Sequence, residues 1–365
     1  MRVLVVNAGS SSLKLSVLDE DDRVVCAETI ASEHGEVDRH ALGAFLESAG
    51  PADAVGHRVV HGGDEFTGPV LVGPTVLRRL RALVDLAPLH QPKSLAALDA
   101  VSALLPGTPA VACFDTAFHA TLPAAAATYA LPGEWRTRFG LRRFGFHGLS
   151  HAYAARRSAK LLGLVLDDLR LVTCHLGSGA SLAAVAGGRS VDTTMGFTPL
   201  DGLVMATRSG SVDPGLLLWL VDRGVPPDRL AAGLEHRSGL LGLAGTADMR
   251  AVVERAGAGD AQALLALETY LHRLRGGIAA MAASMGGVDA VVFTGGVGEN
   301  APVVRAGAIE GLGFLGVAID PGRNRAAAAD RVISPDGAPV ACLVLAARED
   351  LQIATETRTV LTSEP

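Results

Sequence analysis

Two stretches about half a chain apart repeat one local pattern, and that repetition constrains the fold more than anything else in the sequence. Val3-Leu4-Val5-Val6 runs into Asn7-Ala8-Gly9-Ser10-Ser11-Ser12 and on into the alternating run Leu13 to Leu18. Leu171-Val172-Thr173-Cys174 runs into His175-Leu176-Gly177-Ser178-Gly179-Ala180-Ser181 and on into Leu182 to Val185. Each spells strand, Gly-bearing turn, strand, and two such hairpins in one chain imply a duplicated α/β domain. A third β-branched run, Val291-Val292-Phe293-Thr294, ends in Gly295-Gly296-Val297-Gly298-Glu299-Asn300. It follows a long helical pattern from Ala261 to Met285 that stops at Gly286-Gly287. A helix feeding a buried strand and a Gly loop predicts a parallel sheet with a ligand at its carboxyl edge.

Helical spacing fills the intervals, at Glu36 to Ser48 and Leu77 to Leu86. Asp213-Pro214 predicts a helix start, with Asp as N-cap and Pro at the first position, running to Arg223 and stopped by Gly224. The boundary between halves falls near residues 150–170, giving domains 1–150 and 151–365, with the C-terminal segment able to pack back on the first. No Pro/Ser-rich linker marks that boundary, so the expected arrangement is two domains sharing a cleft.

Composition narrows the partners. The 365 residues carry a formal charge of -6 and no Lys/Arg block, which argues against a nucleic-acid partner. Hydrophobic residues are 49% but aromatics only 4%, so a large core must be built from Ala, Leu and Val. Cys26, Cys113, Cys174 and Cys342 lack paired spacing and read as reduced, buried thiols rather than a disulfide framework or zinc site. The first apolar run is too short for a signal peptide, and Gly276 to Val288 reads as a packed helix; the expectation is a cytoplasmic protein with no membrane partner.

A Gly/Ser loop at a strand end can converge backbone N–H groups on phosphate. Asn7 to Lys14 adds three hydroxyls and an ammonium, without being a Walker sequence. The alternative is a plain Gly/Ser turn, and for His175 the alternative is a strand-end residue bonded to backbone. Arg58 (in Gly56-His57-Arg58-Val59-Val60-His61-Gly62-Gly63) and Arg208 (in Thr207-Arg208-Ser209-Gly210) stand beside Gly and His rather than on amphipathic helices. Their planar forks suit a carboxylate or a transferring phosphoryl group. Asp115 follows the apolar run Ala110 to Cys113; it can orient a cation, or cap a helix. Arg142 to His151 packs two Arg, two Phe and two His into ten residues, so Phe144 and Phe146 would wall a pocket within reach of His147.

Taken in order, Asn7 to Lys14, Gly56 to Gly63, Ala87-Pro88-Leu89-His90, Phe114 to His119, Arg143 to His151, His175 to Ser181, Asp192 to Gly196, Thr198-Pro199-Leu200, Thr207 to Gly210 and Gly296 to Asn300 resemble the signature blocks of acetate kinases. The resemblance implies duplicated actin-like, sugar-kinase-type domains with a nucleotide cleft between them, and a homodimer. It implies ATP:acetate phosphotransfer to acetyl phosphate and ADP with Mg, Mn being the other candidate. By the same resemblance Asn7 and Glu349 would hold the metal, and Lys14 would approach the ATP phosphates. His175, Leu176, Gly177, Ser178 and Gly179, with Asp248, Met249 and Arg250 and with Gly296, Val297, Gly298, Glu299 and Asn300, would line the nucleotide site. Arg58 would bind the carboxylate beside Val60, Leu89, Phe146 and Pro199, and Asp115, His147 and Arg208 would be catalytic.

The chemistry suits those roles. A short fatty acid is already ionised at neutral pH, so no base is needed; the task is to neutralise two anions, and Asp115 is expected to orient a metal or an Arg rather than abstract a proton. The sequence departs from the family pattern at Ser178 (usually Asn), Gln91, Leu149, Ser211 and the block Arg348-Glu349-Asp350. The nearest rival is a propionate or butyrate kinase on the same scaffold, which Val60 disfavours modestly because propionate-preferring relatives usually carry Ala there. A non-catalytic actin-like nucleotide-binding protein would not need the three cations, and a sugar kinase would want polar pocket residues.

Overall fold

A computed structural model describes residues 1–9, 12–31, 37–326 and 330–363. Its contacts divide the chain into two compact units, one made of 1–120, 146–153 and 348–365, the other of 121–145 and 154–347.

The first unit holds a six-stranded sheet: β1 (Val3–Ala8), β2 (Ser12–Leu18), β3 (Val24–Ala31), β4 (Ala54–Val59), β5 (Val70–Leu71) and β6 (Ala110–Phe114), in the order β3-β2-β1-β4-β6-β5. β1, β4 and β6 run parallel, while β2, β3 and β5 are antiparallel to their neighbours. One face packs on helices Arg39–Ala49 and Gln91–Leu104 through Leu42, Phe45, Ala97 and Val101. The other carries Val3, Val5, Val111 and Cys113 against Ile353 and Ala354 of the helix Glu349–Thr362. Fully burying such a Leu, Val or Ile contributes roughly 1.5–3 kcal/mol each.

The second unit repeats the plan. β7 (Arg170–Leu176), β8 (Ala180–Ala186), β9 (Arg189–Thr193), β10 (Ala290–Thr294), β11 (Arg331–Val332) and β12 (Ala341–Val344) lie in the order β9-β8-β7-β10-β12-β11. The parallel and antiparallel pairings match position for position. Even the register shift recurs, between Val17 and Leu18 in one unit and between Ala184 and Val185 in the other. The duplication read from two hairpins therefore extends to whole sheets. The helix Ala261–Ser284, capped by Asp260, lays Ala263, Ala266, Leu267, Tyr270, Leu274 and Ile278 inward, and small residues let it sit close. A Cβ on Gly277 would come within 2.7 Å of Leu182.

Most predicted elements form as expected, including Pro214–Asp222 with Asp213 as N-cap and Gly224 at φ 87°. Of Glu36 to Ser48, Glu36 lies outside the described residues and the helix is Arg39–Ala49. Leu77 to Leu86 is not one helix: Pro74–Ala82 ends at Leu83, whose N–H bonds Leu80 O, and Val84–Leu86 tightens into a 3-10 turn. The last turn satisfies orphan carbonyls by three-residue bonds, a choice periodicity cannot register. Three cysteines are buried and Cys26, on the edge strand β3, is partly exposed; all four are free thiols. Among the described residues no helix is long and apolar enough to cross a membrane.

Candidate active site

In the first unit the parallel strands β4 and β6 end side by side, since Val59 pairs with Phe114 and Asp115 N–H bonds Val59 O at 3.1 Å. That register sets Arg58 against Asp115. Nη2 donates to Oδ2 at 2.5 Å and Nε to both carboxylate oxygens at 3.1 Å, a forked pair with the carboxylate almost fully buried. Nη1 reaches Ala8 O at 2.8 Å and Asn7 Oδ1 at 3.4 Å, tying Arg58 to the end of β1. Asn7 Nδ2 in turn donates to Glu349 Oε2 at 2.7 Å. Burial alone would lower the Arg58 pKa, but Asp115 and Glu349 outweigh it and raise it. Burial pushes the Asp115 carboxyl up against the pull of the Arg58 charge, and because a guanidinium keeps its proton the two hold as an ion pair. Lys14 is exposed on β2 directly across from Asn7. Ser10 and Ser11, the centre of the predicted phosphate loop, lie outside the described residues.

The donors offered to a metal here are oxygens, the Asn7 carboxamide and the Glu349 carboxylate, the hard set that Mg accepts. Among the described residues no cluster of three or more His, Cys, Asp or Glu forms a metal site. The remaining ligands would have to be water and nucleotide phosphate, the usual pattern for Mg. The residues fit the ion.

His147 adopts the left-handed conformation at φ 57°, costly for a residue with a Cβ. The turn is forced by close packing: Gly148 N–H bonds Asp115 O at 2.8 Å, and any Cβ on Gly148 would overlap that carbonyl. Asp115 thus positions both Arg58 and the turn that carries His147. The Phe146 ring is buried edge-on to His61 at 5.5 Å between centroids, and its carbonyl meets His119 Nε2 at 3.0 Å. Gln91 fixes the neighbouring loop by accepting from His61 N–H and donating to His61 O, both at 3.1 Å. Of the predicted acyl-pocket residues in this unit, Val60 and Phe146 are buried and Leu89 is half exposed.

In the second unit three distant stretches meet at a cavity of about 380 Å³. Gly177 and Ser178 line it, with Asp248, Met249 and Arg250 and with Gly296, Val297 and Asn300. His175, Leu176, Gly179, Gly298 and Glu299 are not among its lining residues. Asp248 caps the helix Met249–Gly257 by accepting from Arg250 N–H. Gly295, at φ 80°, lets the third loop lie on β7: a Cβ there would be 2.7 Å from Leu176 O. Sequence reasoning missed the cavity's Ala206, Leu240 and Tyr270, which lie outside any Gly-rich signal.

Arg208 in this unit donates from Nη1 to Pro199 O at 3.4 Å and pairs with Glu235 at 3.3 Å; burial lowers its pKa against the Glu235 charge. Arg143 Nη1 holds the same loop, donating to Thr194 O at 3.0 Å, Met195 O at 2.8 Å and Asp201 Oδ2 at 3.3 Å. Its guanidinium also lies over Tyr129, whose hydroxyl accepts from Phe197 N–H at 2.7 Å.

Two sheets of identical strand order, each opening on a hairpin, with a cavity of about 380 Å³ beside Gly-rich turns in one, define the fold of the actin and sugar-kinase class. A hexokinase of the ROK family from Thermus thermophilus shares that fold at a TM-score of 0.51 and 15% identity over the whole of both chains. The model of the Acetokinase family matches residues 41–355, and the chain belongs to that family. It is 46% identical to the acetate kinase of Synechococcus sp. over all of both chains. It is also 46% identical to that of Clavibacter sepedonicus over 97% of this chain and 98% of that one. The crystal structure of Porphyromonas gingivalis acetate kinase superposes at TM-score 0.91 with 36% identity, covering 99% of each chain. A propionate kinase from Francisella tularensis does so at 0.91 and 35%, covering 98% of this chain and 99% of that one.

Proposed function

We propose that this chain transfers the terminal phosphoryl group of ATP to acetate, reversibly and in line, yielding acetyl phosphate and ADP with Mg as the divalent ion. The observation that carries the reading is the Arg58–Asp115 pair knitted to Asn7 and Glu349 at the ends of β1 and β4. A fixed guanidinium next to an oxygen donor set is what two anions need in order to approach each other. Arg58 binds the acid, Asp115 orients Arg58, and His147 and Arg208 contribute positive charge to the transferring group. Asn7 and Glu349 hold the ion, which neutralises phosphate charge when bound. The nucleoside occupies the cavity beside Gly296, Val297 and Asp248. No side chain takes a proton from the acid, because the acid arrives ionised. A homodimer, on the family resemblance, and a cytoplasmic location, on the unpaired cysteines, are part of this reading.

Propionate is the second acid to consider, because a propionate kinase is as similar in structure as an acetate kinase. Val60 is buried and bulkier than the Ala expected for the larger acid, and one methylene is worth about 1–3 kcal/mol. The test is hydroxylamine trapping of acyl phosphate from ATP and Mg with acetate, propionate and butyrate in parallel. Acetate should give the highest kcat/KM; propionate ahead of acetate would reassign the substrate, and no hydroxamate from any acid would end the reading.

A further inference from the structure

Arg305 is only 2% exposed, in a helix (Pro302–Ile309) whose other buried members Val304, Ala308 and Ile309 are apolar. A buried guanidinium is costly unless its donors are used, and all four of its hydrogen bonds go to uncharged oxygens. Nη1 donates to Gly298 O at 2.7 Å and Glu299 O at 2.8 Å, Nε to Asn324 Oδ1 at 2.8 Å, and Nη2 to Asn324 O at 2.7 Å. The two carbonyls belong to the last turn of the six-residue helix Gly295–Asn300. Four residues beyond Gly298 stands Pro302, which has no N–H to give, so the turn's own chemistry leaves that carbonyl without its helical partner. Arg305 supplies the donor, and its charge faces the negative end of the segment. Asn324, itself 4% exposed, closes the clamp by donating to Pro302 O at 2.9 Å.

The segment is thus pinned at both ends: at Gly295 by contact too close for a side chain against Leu176, and at Gly298 and Glu299 by Arg305. Between the pins Gly296 and Val297 face the cavity, and Asn300 lines it just past the second pin. We propose that Arg305 is a positioning residue for the nucleotide, setting the place of Gly296–Asn300 and so the affinity for the nucleoside end of ATP without touching it. The inference rests on the reading that this cavity takes the nucleoside.

The test compares Arg305→Met, Arg305→Lys and Asn324→Ser with the unaltered full-length enzyme. Each is scored for ADP binding by calorimetry, for KM of ATP and of acetate, for kcat, and for Tm. Arg305→Met should weaken ADP binding and raise KM for ATP by about tenfold or more, with KM for acetate held within about twofold. Arg305→Lys keeps the charge but cannot span two carbonyls and Asn324, and should fall between. Asn324→Ser leaves the guanidinium in place and should weaken ADP binding in the same direction, so the inference stays testable if Arg305→Met does not fold. Unchanged ADP affinity in the folded variants, or equal rises in both KM values with a lower Tm, would overturn it. Ala206→Trp, which fills the cavity, separates the two claims. If it leaves ADP binding intact, the cavity reading falls and the inference with it. If it abolishes binding while Arg305→Met does not weaken it, the positioning role alone falls.

Discussion

Arg58 uses its fork on Asp115 and its third nitrogen on the β1 backbone, so the guanidinium is held in one place and the acid must come to it. A lysine there would keep the charge and lose the fork. Arg58→Lys should therefore lower kcat/KM for acetate by about 10²–10³, the range for losing a preorganised charge-stabilising donor, with little change in KM for ATP; the hydroxamate assay measures it, and a fall of less than tenfold would argue against a bidentate role. Asp115→Asn should lower kcat while leaving the shape of the pH–rate profile unaltered, because in the proposed role Asp115 orients a cation and moves no proton; an acid limb lost in the variant would make it a general base instead. Arg58, Asp115 and His147 were legible in the sequence because each stands near Gly or at the end of an apolar run, away from any amphipathic helix. Arg143 and Arg305 were not. Most of their acceptors are main-chain carbonyls brought near by folding, and carbonyls leave no trace in residue identity. The one available signal was Arg305 as a lone charge in the apolar run Pro302-Val303-Val304-Arg305-Ala306-Gly307-Ala308-Ile309.

Secondary-structure elements were the most legible level, because the hairpin pattern and the helical stripes each report a burial period. What the pattern could not report is which element covers which face. The helix Glu349–Thr362 is a case: its periodicity fits any apolar partner, and its place over β1, β4 and β6 depends on an absent side chain. Gly56, in the middle of β4, leaves the space that Ile353 and Thr357 fill, and a Cβ there would lie 2.6 Å from the Ile353 side chain. Gly56→Ala should cost about 1–3 kcal/mol, as over-packing does, and displace the helix that begins at Glu349. The expected result is a lower Tm together with a higher Mg concentration for half-maximal rate; a lower Tm with an unchanged Mg requirement would separate the helix's packing from the metal role proposed for Glu349. The loop 194–202 depends on Arg143 in the same way. Arg143→Met removes the nitrogen that donates to Thr194 O, Met195 O and Asp201 Oδ2 and should cut kcat by about tenfold or more, read beside the Tm to show how much of the loss is unfolding.

Across the whole molecule the duplication is nearly exact in topology yet unequal in chemistry, and the inequality has a consequence for pH. The first unit buries His57, His61 and His119, and burial lowers their pKa values to about 3, about 4 and about 4. His57 is the extreme: both ring nitrogens lie buried without a hydrogen-bond partner among the described residues. In the unfolded chain each imidazole takes a proton below about pH 6.5, whereas in the native state it stays neutral until far lower. Between those values the unfolded state binds more protons, so stability rises with pH through the window and is lost as pH falls. The stabilisation is fully present above about 6.5. Below it each histidine removes up to ~1.4 kcal/mol per pH unit, and three together make a steep loss between about pH 6.5 and 4. Urea unfolding followed at several pH values should show a midpoint constant above about pH 7 that drops sharply toward pH 5. His57→Leu should flatten that drop by about a third, since one of three proton-linked groups is gone. A midpoint independent of pH across this range would mean the buried imidazoles are solvated in solution. The activity profile should follow the same curve on its acid side, because acetate stays mostly ionised down to about pH 5 and no catalytic base is being titrated. Loss of rate that precedes loss of folded protein would instead point to a titrating group in the active site.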